Sequence, residues 1–265
     1  MPAYNCEAFI AEAIASVQAQ TYAHWNLIVV DDCSIDATGR VARERAAREP
    51  RVTVLTSPAN GGTAAARNLG LSNCAGRYVA FLDADDVWAP EKLEKQIAFM
   101  AQRKAGFSFT AYRKFGPAGP RGVIGARPSV TWRDMLKGSR IGCSTVMLDT
   151  KIFPQIRFLT GPGGRQENVL WSSLLDAERR MDLIERGGRE DYALWLSLLR
   201  HGGQAHGLDE PLVRYRVHGA SKTARKLRAI AAQWVVYRDL EKFTPLRATW
   251  YLAHYAVRGV IKALR

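Results

Sequence analysis

A short apolar run followed at once by three acids constrains this chain more than any other stretch. Residues 79–82 are Val, Ala, Phe and Leu, and Asp83, Asp85 and Asp86 fall within the next four positions. Four apolar residues are too few for a helix but suit a buried strand. Open α/β sheets bind ligands at the carboxyl ends of such strands, and carboxylate oxygens suit a hard divalent cation. The stretch therefore predicts metal or phosphate chemistry, with a solvated turn as the alternative.

Strands and helices alternate through the first hundred residues. Apolar residues recur at helical spacing between Asn5 and Gln20, and the apolar run 25–31 then ends in Asp31 and Asp32. We expect further strands at 52–56 and 78–82, and helices at 37–49, 63–73 and 90–104. This order predicts an α/β fold with a doubly wound, mostly parallel sheet. The acids that follow two of the three strands then lie at one edge of that sheet.

Two further features favour a nucleotide near that edge. Asp32 follows a buried strand, where a carboxylate can accept hydrogen bonds from a base or a ribose. Asn60-Gly61-Gly62 precedes a predicted helix, and we expect its backbone amides to be open to phosphate, with Arg67 as a nearby cation. The Walker A pattern is absent, and no GxGxxG motif follows the first predicted strand, which argues against a P-loop ATPase and a dinucleotide-binding fold.

The middle of the chain is less regular. Residues 106–114 alternate moderately and suit a strand, while 116–128 contain four Gly and three Pro and predict a loop. Glu190 and Asp191 open an amphipathic helix, where they either stabilise the helix dipole or provide a general base. His218 follows another predicted strand, and taken alone it has no assigned role.

Composition and charge narrow the class of protein. Hydrophobic residues make up 47% of the chain, which is typical of a globular core, and no apolar run approaches the length of a membrane span. The net charge is +13, and the segment from Arg214 to Arg265 holds twelve Lys or Arg against two acids. Nucleic acid, anionic lipid headgroups or an acidic substrate each suit that segment. Clustered aspartates at a sheet edge argue against nucleic acid.

Several short motifs occur in an order that resembles the family 2 nucleotide-sugar glycosyltransferases, which have the GT-A fold. The motifs are Pro2-Ala-Tyr-Asn5, Gln20-Thr-Tyr22, Ile28-Val-Val-Asp-Asp32, Asn60-Gly-Gly62, Ala66-Arg-Asn68, Phe81-Leu-Asp-Ala-Asp-Asp86, Glu190-Asp191 and Tyr215-Arg-Val-His218. The resemblance covers residues 1–158 and 189–220, and within the family it is to bacterial enzymes that build lipopolysaccharide, capsule or exopolysaccharide.

This resemblance implies an inverting hexosyl- or N-acetylhexosaminyl-transferase that uses a nucleotide diphospho-sugar, with UDP expected, and a saccharide or lipid-linked saccharide acceptor. It implies Mn²⁺ or Mg²⁺ bound by Asp83, Asp85 and His218, Asp191 as the catalytic base, and Asp86 as a support for the loop. The implied donor-binding residues are Pro2, Ala3, Tyr4, Asp32, Arg67 and Asp83.

The sequence departs from the family pattern at two places. Family members carry a buried strand directly before the first motif, so we expect the first strand of the sheet to be missing here. Residues 159–188 resemble an insertion. We expect a GT-A glycosyltransferase domain over 1–220 and a basic amphipathic helical region over 221–265. The alternatives are an inactive relative that binds only nucleotide and, less favoured, a basic nucleic-acid-binding module.

The last 45 residues interleave aromatic and basic side chains in two predicted helices that Pro245 separates. Such helices suit an anionic membrane surface, although packing on the catalytic domain would require the same pattern. The four cysteines are scattered without metal-site spacing, which suits a reducing compartment. We therefore expect a cytoplasmic protein that docks peripherally on the inner face of the plasma membrane.

Overall fold

The computed structural model describes residues 1–117, 119–138, 141–160, 190–200, 203–217 and 230–264. Its helices are α1 (Ile10–Gln18), α2 (Thr38–Ala46), α3 (Gly62–Leu71), α4 (Lys92–Arg103), α5 (Trp132–Leu136), α6 (Glu190–Leu199) and α7 (Pro245–Leu264). Its strands are β1 (Pro2–Ala3), β2 (Leu27–Asp31), β3 (Val52–Thr56), β4 (Tyr78–Ala80), β5 (Val87–Trp88), β6 (Phe107–Gly116), β7 (Gly119–Ile124), β8 (Ser129–Thr131), β9 (Val146–Asp149) and β10 (Gln204–Arg216).

Backbone contacts divide the chain into two compact units. The first unit comprises 1–129, 141–156 and 205–218, and the second comprises 130–140, 157–204 and 219–265. Apart from most of β8 and the first residue of β10, the strands belong to the first unit, as do Asp32, Asp83, Asp85 and Asp86, whereas Asp191 belongs to the second. The domain boundary that was expected between residues 220 and 221 stays a prediction.

The first sheet is parallel and holds β1, β2 and β3 in that order. Pro2 pairs with Val30 and Ala3 with Asp31, so two residues occupy the position where the sequence analysis expected a strand to be missing. Strand β2 is buried along most of its length because helices connect β1, β2 and β3 in turn. Connections of this kind require parallel neighbours, as the alternating pattern predicted.

The second sheet differs from the prediction of a mostly parallel sheet. Its strands run in the order β4-β9-β6-β10-β5, and β7 also pairs with β6. The β6–β10 pair is parallel, whereas β4–β9, β6–β9, β6–β7 and β5–β10 are antiparallel. A crossover helix between neighbouring strands enforces parallel pairing, and no crossover joins β6 to β7. The α/β class is therefore confirmed, and the orientation of these strands is corrected.

A shared core joins α1 to strands of both sheets within the first unit. Ile10, Ile14 and Val17 form the predicted apolar stripe of α1, and they are at most 2% exposed. They belong to one buried cluster with Val29 of β2 and Val213 of β10. Burying each aliphatic side chain of this size contributes about 1.5–3 kcal/mol to folding. This core holds the ends of β2 and β10 in fixed positions.

The second unit is built around α6, most of whose side chains are buried. Tyr192 Oη donates to the carbonyl oxygen of Met135 at 2.9 Å and accepts from Gln233 Nε2 at 3.0 Å. Residues 230–235 are helical and continue into a π-helix at Val236–Leu240. In the part of the chain that the structure describes, no helix combines the length and the apolarity that a membrane crossing requires.

Candidate active site

The first predicted donor-binding residues lie where β1 and β2 end side by side. The backbone N of Asp32 donates to the carbonyl oxygen of Ala3 at 2.8 Å, which continues the ladder between the two strands. Tyr4 follows and is 49% exposed. Asn5 has a φ of 46°, and its backbone N donates to Ser34 Oγ at 3.1 Å. The chain therefore turns away from the sheet immediately after Tyr4.

Asp32 corrects one expectation about the glycine turn. Its carboxylate is buried, and its two oxygens accept from the backbone N of Gly61 at 3.1 Å and of Gly62 at 2.8 Å. The amides that the sequence analysis expected to be open to phosphate are thus bonded to this side chain. A buried carboxylate requires donors, and amides at the start of α3 supply them. Asp32 therefore ties the end of β2 to the start of α3.

Arg67 of α3 and Asp83 form an ion pair near the end of β4. Because β4 belongs to the second sheet, the acids that follow β2 and β4 do not share one sheet edge as expected. Arg67 Nη2 lies 2.7 Å from Asp83 Oδ1, and the side chains are 4% and 31% exposed. The pair gives the buried guanidinium a counter-charge, without which its burial would be costly. The structure thus brings together two residues predicted for donor binding, sixteen positions apart. A diphosphate approaching Asp83 would meet this guanidinium as well.

The third acid of the loop points inward, as expected of a support residue. Asp86 is 1% exposed, its Oδ2 accepts from Ser144 Oγ at 2.6 Å, and its Oδ1 accepts from the backbone N of Arg216 at 2.9 Å. Burial, and next the charge of Asp83, raise the pKa of the Asp86 carboxyl well above its ordinary value. Asp83 and Asp85 are both less buried.

The donor set suits Mn²⁺ or Mg²⁺ bound together with a diphosphate. Magnesium is commonly held by one or two carboxylates plus substrate phosphates rather than by a complete protein cage. Asp83 and Asp85 provide such carboxylates, and no group of three or more His, Cys, Asp or Glu that could hold a metal occurs among the described residues. The predicted third ligand, His218, lies outside the described residues.

Asp191, the predicted base, stands in the first turn of α6 in the second unit. Its Oδ1 accepts from the backbone N of Tyr192 at 2.6 Å, an arrangement that also suits a helix-stabilising acid. The neighbouring Glu190 is buried. Most of the predicted insertion at 159–188 lies outside the described residues.

Two residues that contact the acidic loop, Ser144 and Arg216, were not among the predicted site residues. Ser144 lies in a 3₁₀ helix at Cys143–Thr145 and bonds to both Asp83 and Asp86. Arg216 was passed over although it stands in the motif that contains His218. An arginine near the end of a predicted strand that leads into a site motif was the available signal. Ser144 gave no local signal because its partners are about 60 positions away.

The sheet edge with its acidic loop lies within the part of the chain that matches a known family. The family model described as "Glycosyl transferase family 2" matches residues 1–146. The chain belongs to this family. Membership accounts for the ordered motifs from Pro2 to Asp86, and it confirms the resemblance on which the site assignments depend.

Two family relatives are similar over nearly the whole chain. The Bacillus subtilis (strain 168) protein TuaG, named as a teichuronic acid biosynthesis glycosyltransferase, is 38% identical over 99% of this chain and 95% of its own length. The Escherichia coli protein WfgD, named as a UDP-Glc:alpha-D-GlcNAc-diphosphoundecaprenol beta-1,3-glucosyltransferase, is 33% identical over 99% of this chain and 92% of its own length.

Two solved structures share the GT-A fold of the family. S. aureus TarS 1–349 in complex with UDP-GlcNAc has a TM-score of 0.65 and 20% identity, over 96% of this chain and 70% of that chain. The mannosyltransferase PcManGT from Pyrobaculum calidifontis, in complex with GDP-Man and Mn²⁺, has a TM-score of 0.64 and 18% identity. The match covers 99% of this chain and 73% of that chain. At these identities the likeness extends to the fold.

Proposed function

We propose that this protein transfers a sugar from a UDP-sugar to a lipid-linked saccharide acceptor during synthesis of a cell-surface polysaccharide. The observation that carries the proposal is that α3 connects the acids that follow β2 and β4, in a chain of glycosyl transferase family 2. Asp32 accepts from the amides at the start of α3, and Arg67 on α3 pairs with Asp83. The name of WfgD supports the donor and acceptor classes, and that of TuaG supports the polymer class.

The described residues have distinct parts in the proposed reaction. Asp32 and the turn that it holds line the nucleoside side of the site together with Pro2, Ala3 and Tyr4, while Arg67 faces the diphosphate. Asp83 and Asp85, with His218, would hold the Mn²⁺ or Mg²⁺. A bound cation of this kind offsets the negative charge on a departing diphosphate. The Mn²⁺ complex of PcManGT supports this choice of metal.

Asp191 is proposed as the general base. It would accept the proton of the acceptor hydroxyl while that oxygen attacks the anomeric carbon from the face opposite the diphosphate. A single displacement of this kind inverts the anomeric configuration and requires no enzyme nucleophile. The proposal for Asp191 rests on its match to the Glu190-Asp191 motif of the family, in the first turn of α6.

The acceptor class favours a site at the membrane. We infer that the protein docks on an anionic surface at the inner face of the plasma membrane, where lipid-linked saccharides are available. The basic segment from Arg214 to Arg265 supports this inference through its charge. Leu246 and Trp250, which are exposed on α7, support it through their apolar side chains.

Two substitutions test the proposed reaction separately at the donor and at the acceptor. Release of UDP from a panel of UDP-sugars, with added Mn²⁺ and a saccharide-diphosphoundecaprenol acceptor, would be measured for each variant. We expect Asp85→Ala to lower turnover at least about 100-fold because the diphosphate loses its charge compensation. We expect Asp191→Asn to lower transfer by about 100-fold or more while UDP affinity, measured by calorimetry, stays within about twofold.

Glu44→Gln is a control for Asp85→Ala because it removes an exposed acid, paired with Arg40, from a helix away from the loop. Glu190→Gln tests whether the neighbouring acid is the base instead. Turnover of Asp85→Ala equal to that of Glu44→Gln would refute the metal assignment. A greater loss in Glu190→Gln than in Asp191→Asn would move the base to Glu190. UDP binding without turnover on any sugar would identify an inactive relative.

A further inference from the structure

Arg216 contacts the acidic loop at two points. Its guanidinium Nε donates to the carbonyl oxygen of Asp85 at 2.8 Å, and its backbone N donates to Asp86 Oδ1 at 2.9 Å. These bonds join residues about 130 positions apart in the sequence. Arg216 is the last residue of β10, a central strand of the second sheet. The acidic loop is therefore bonded to a sheet strand that is distant from it in the sequence.

The guanidinium of Arg216 is itself held from other sides. Its Cζ lies 4.6 Å from the ring centroid of Phe9 and 4.4 Å from that of Phe115. Its Nη2 donates to Glu12 Oε2 at 2.5 Å, and the side chain is only 16% exposed. Aromatic faces and a carboxylate restrict a planar guanidinium to one orientation. The direction in which Nε points at the loop is therefore set before any ligand arrives.

Ser144 completes the support of the loop. Its Oγ accepts from the backbone N of Asp83 at 3.1 Å and donates to Asp86 Oδ2 at 2.6 Å. The carbonyl oxygen of Ser144 accepts from Trp88 Nε1 at 2.9 Å. The amide of Asp83, the carbonyl of Asp85 and the carboxylate of Asp86 are thus each bonded to groups outside the loop. Arg216 provides two of these bonds.

We propose that Arg216 is a positioning residue for the acidic loop, and that it holds Asp83 and Asp85 in the arrangement that binds a divalent cation together with a nucleoside diphosphate. This inference rests on the proposed function. Metal affinity depends on groups that orient the ligands, since a loop that samples several arrangements must be ordered when the ion binds. Arg216 acts through the loop and would not touch the sugar.

A neighbouring arginine provides a matched control. Arg214 is two positions earlier on β10, its Cζ also lies 4.4 Å from the Phe115 ring, and its Nη1 is 3.6 Å from Glu12 Oε1. The bonds described for the acidic loop involve Arg216 and not Arg214. Arg216→Met and Arg214→Met both remove an arginine beside Glu12 and Phe115 from the same strand. Only Arg216→Met, at the more buried position, also removes the bond to the Asp85 carbonyl.

Two measurements on the full chain test the inference. Without metal, hydrogen exchange of peptides covering residues 78–88 should be at least about fivefold faster in Arg216→Met than in Arg214→Met, since the side-chain bond that restrains the Asp85 carbonyl is lost. With UDP present, the Mn²⁺ dissociation constant from electron paramagnetic resonance should rise at least about tenfold in Arg216→Met and stay within about twofold of wild type in Arg214→Met.

Equal exchange and equal Mn²⁺ affinity in the two variants would overturn the inference. Should Arg216→Met fail to fold, Arg216→Lys carries the same comparison, because it keeps the charge and the stem but lacks the planar fork. Wild-type protein that binds no Mn²⁺ in the presence of UDP would overturn the proposed metal site, and this inference with it. If wild-type protein binds Mn²⁺ and the Arg216 variants bind it equally well, this inference is overturned and the proposed metal site is not.

Discussion

Lys92 places a positive charge inside the first unit. Its side chain is fully buried, with Nζ 4.1 Å from the centroid of the Trp88 ring and 2.7 Å from Gln96 Oε1. Burial lowers the pKa of this amine from 10.5 to about 7. The unfolded chain therefore keeps the proton to a higher pH than the folded protein does. The destabilisation that comes from burying the charged amine is therefore fully present below about pH 7, and it disappears as the pH rises toward 10.5.

We expect Lys92→Met to raise the free energy of unfolding most at low pH. Between about pH 6 and about pH 9 the gain should shrink by about 3 kcal/mol, because the native lysine is already neutral at the higher pH. Urea unfolding at both pH values measures this difference. Lys95→Met is the control, since Lys95 is 43% exposed and pairs with Glu210. A gain from Lys92→Met that does not change with pH would contradict the assignment.

Among the secondary-structure elements, β10 has a close approach that only glycine allows. A Cβ on Gly207 would lie 2.0 Å from the carbonyl oxygen of Arg127, whose backbone cannot swing aside as a flexible side chain would. The amide of Gly207 also donates to the carbonyl oxygen of Pro128 at 3.0 Å. This segment therefore packs against β10 through backbone contact rather than through side chains.

Gly207→Ala should lower the free energy of unfolding by about 3 kcal/mol, since the added methyl group overlaps fixed backbone. The measurement is the midpoint of guanidinium unfolding in the full chain. Gly122→Ala on β7 is the matched control, because a Cβ there meets no atom within 4 Å. Midpoints that shift equally in the two variants would show that the 127–128 backbone moves away easily.

The sequence predicted α1 to α4 and β2 to β4 well because each has its own local pattern, such as the stripe at Ile10, Ile14 and Val17. It failed where tertiary partners decide the structure. Residues 116–128 were predicted to be a loop from their Gly and Pro content, yet β7 forms there because β6 provides a backbone partner. The bonding of the Gly61 amide to Asp32 and the part of Arg216 likewise depend on contacts across many residues.

At the scale of the whole molecule, charge and exposed apolar area coincide near the C-terminus. The segment from Arg214 to Arg265 carries twelve of the basic residues and two acids. Leu246 and Trp250 stand four positions apart on α7 and are 83% and 50% exposed. Residues at this spacing share one face of a helix, and a basic helix with exposed aromatic and aliphatic side chains suits a membrane interface.

We therefore expect the protein to sediment with vesicles that contain phosphatidylglycerol and much less with phosphatidylcholine vesicles. Raising the salt from about 0.1 M to about 0.5 M should weaken the association because the charges are screened. Trp250→Glu should lower the bound fraction at least about fivefold, since it removes apolar area and adds a repelled charge. Ile35→Glu, at an 88% exposed position of the first unit, should leave it unchanged. Equal losses in the two variants would exclude α7 as the contact.

The place of β10 in the sheet has a consequence for synthesis of the chain. Strand β10 pairs with β6 on one side and β5 on the other, yet Arg216 follows Gly116 by 100 positions. Ribosomes add about 5–20 residues per second, so β10 is synthesised on the order of 10 s after β6. During that interval β6 presents unpaired backbone groups to other nascent chains. Slower elongation lengthens the interval, and aggregation during expression should increase with it.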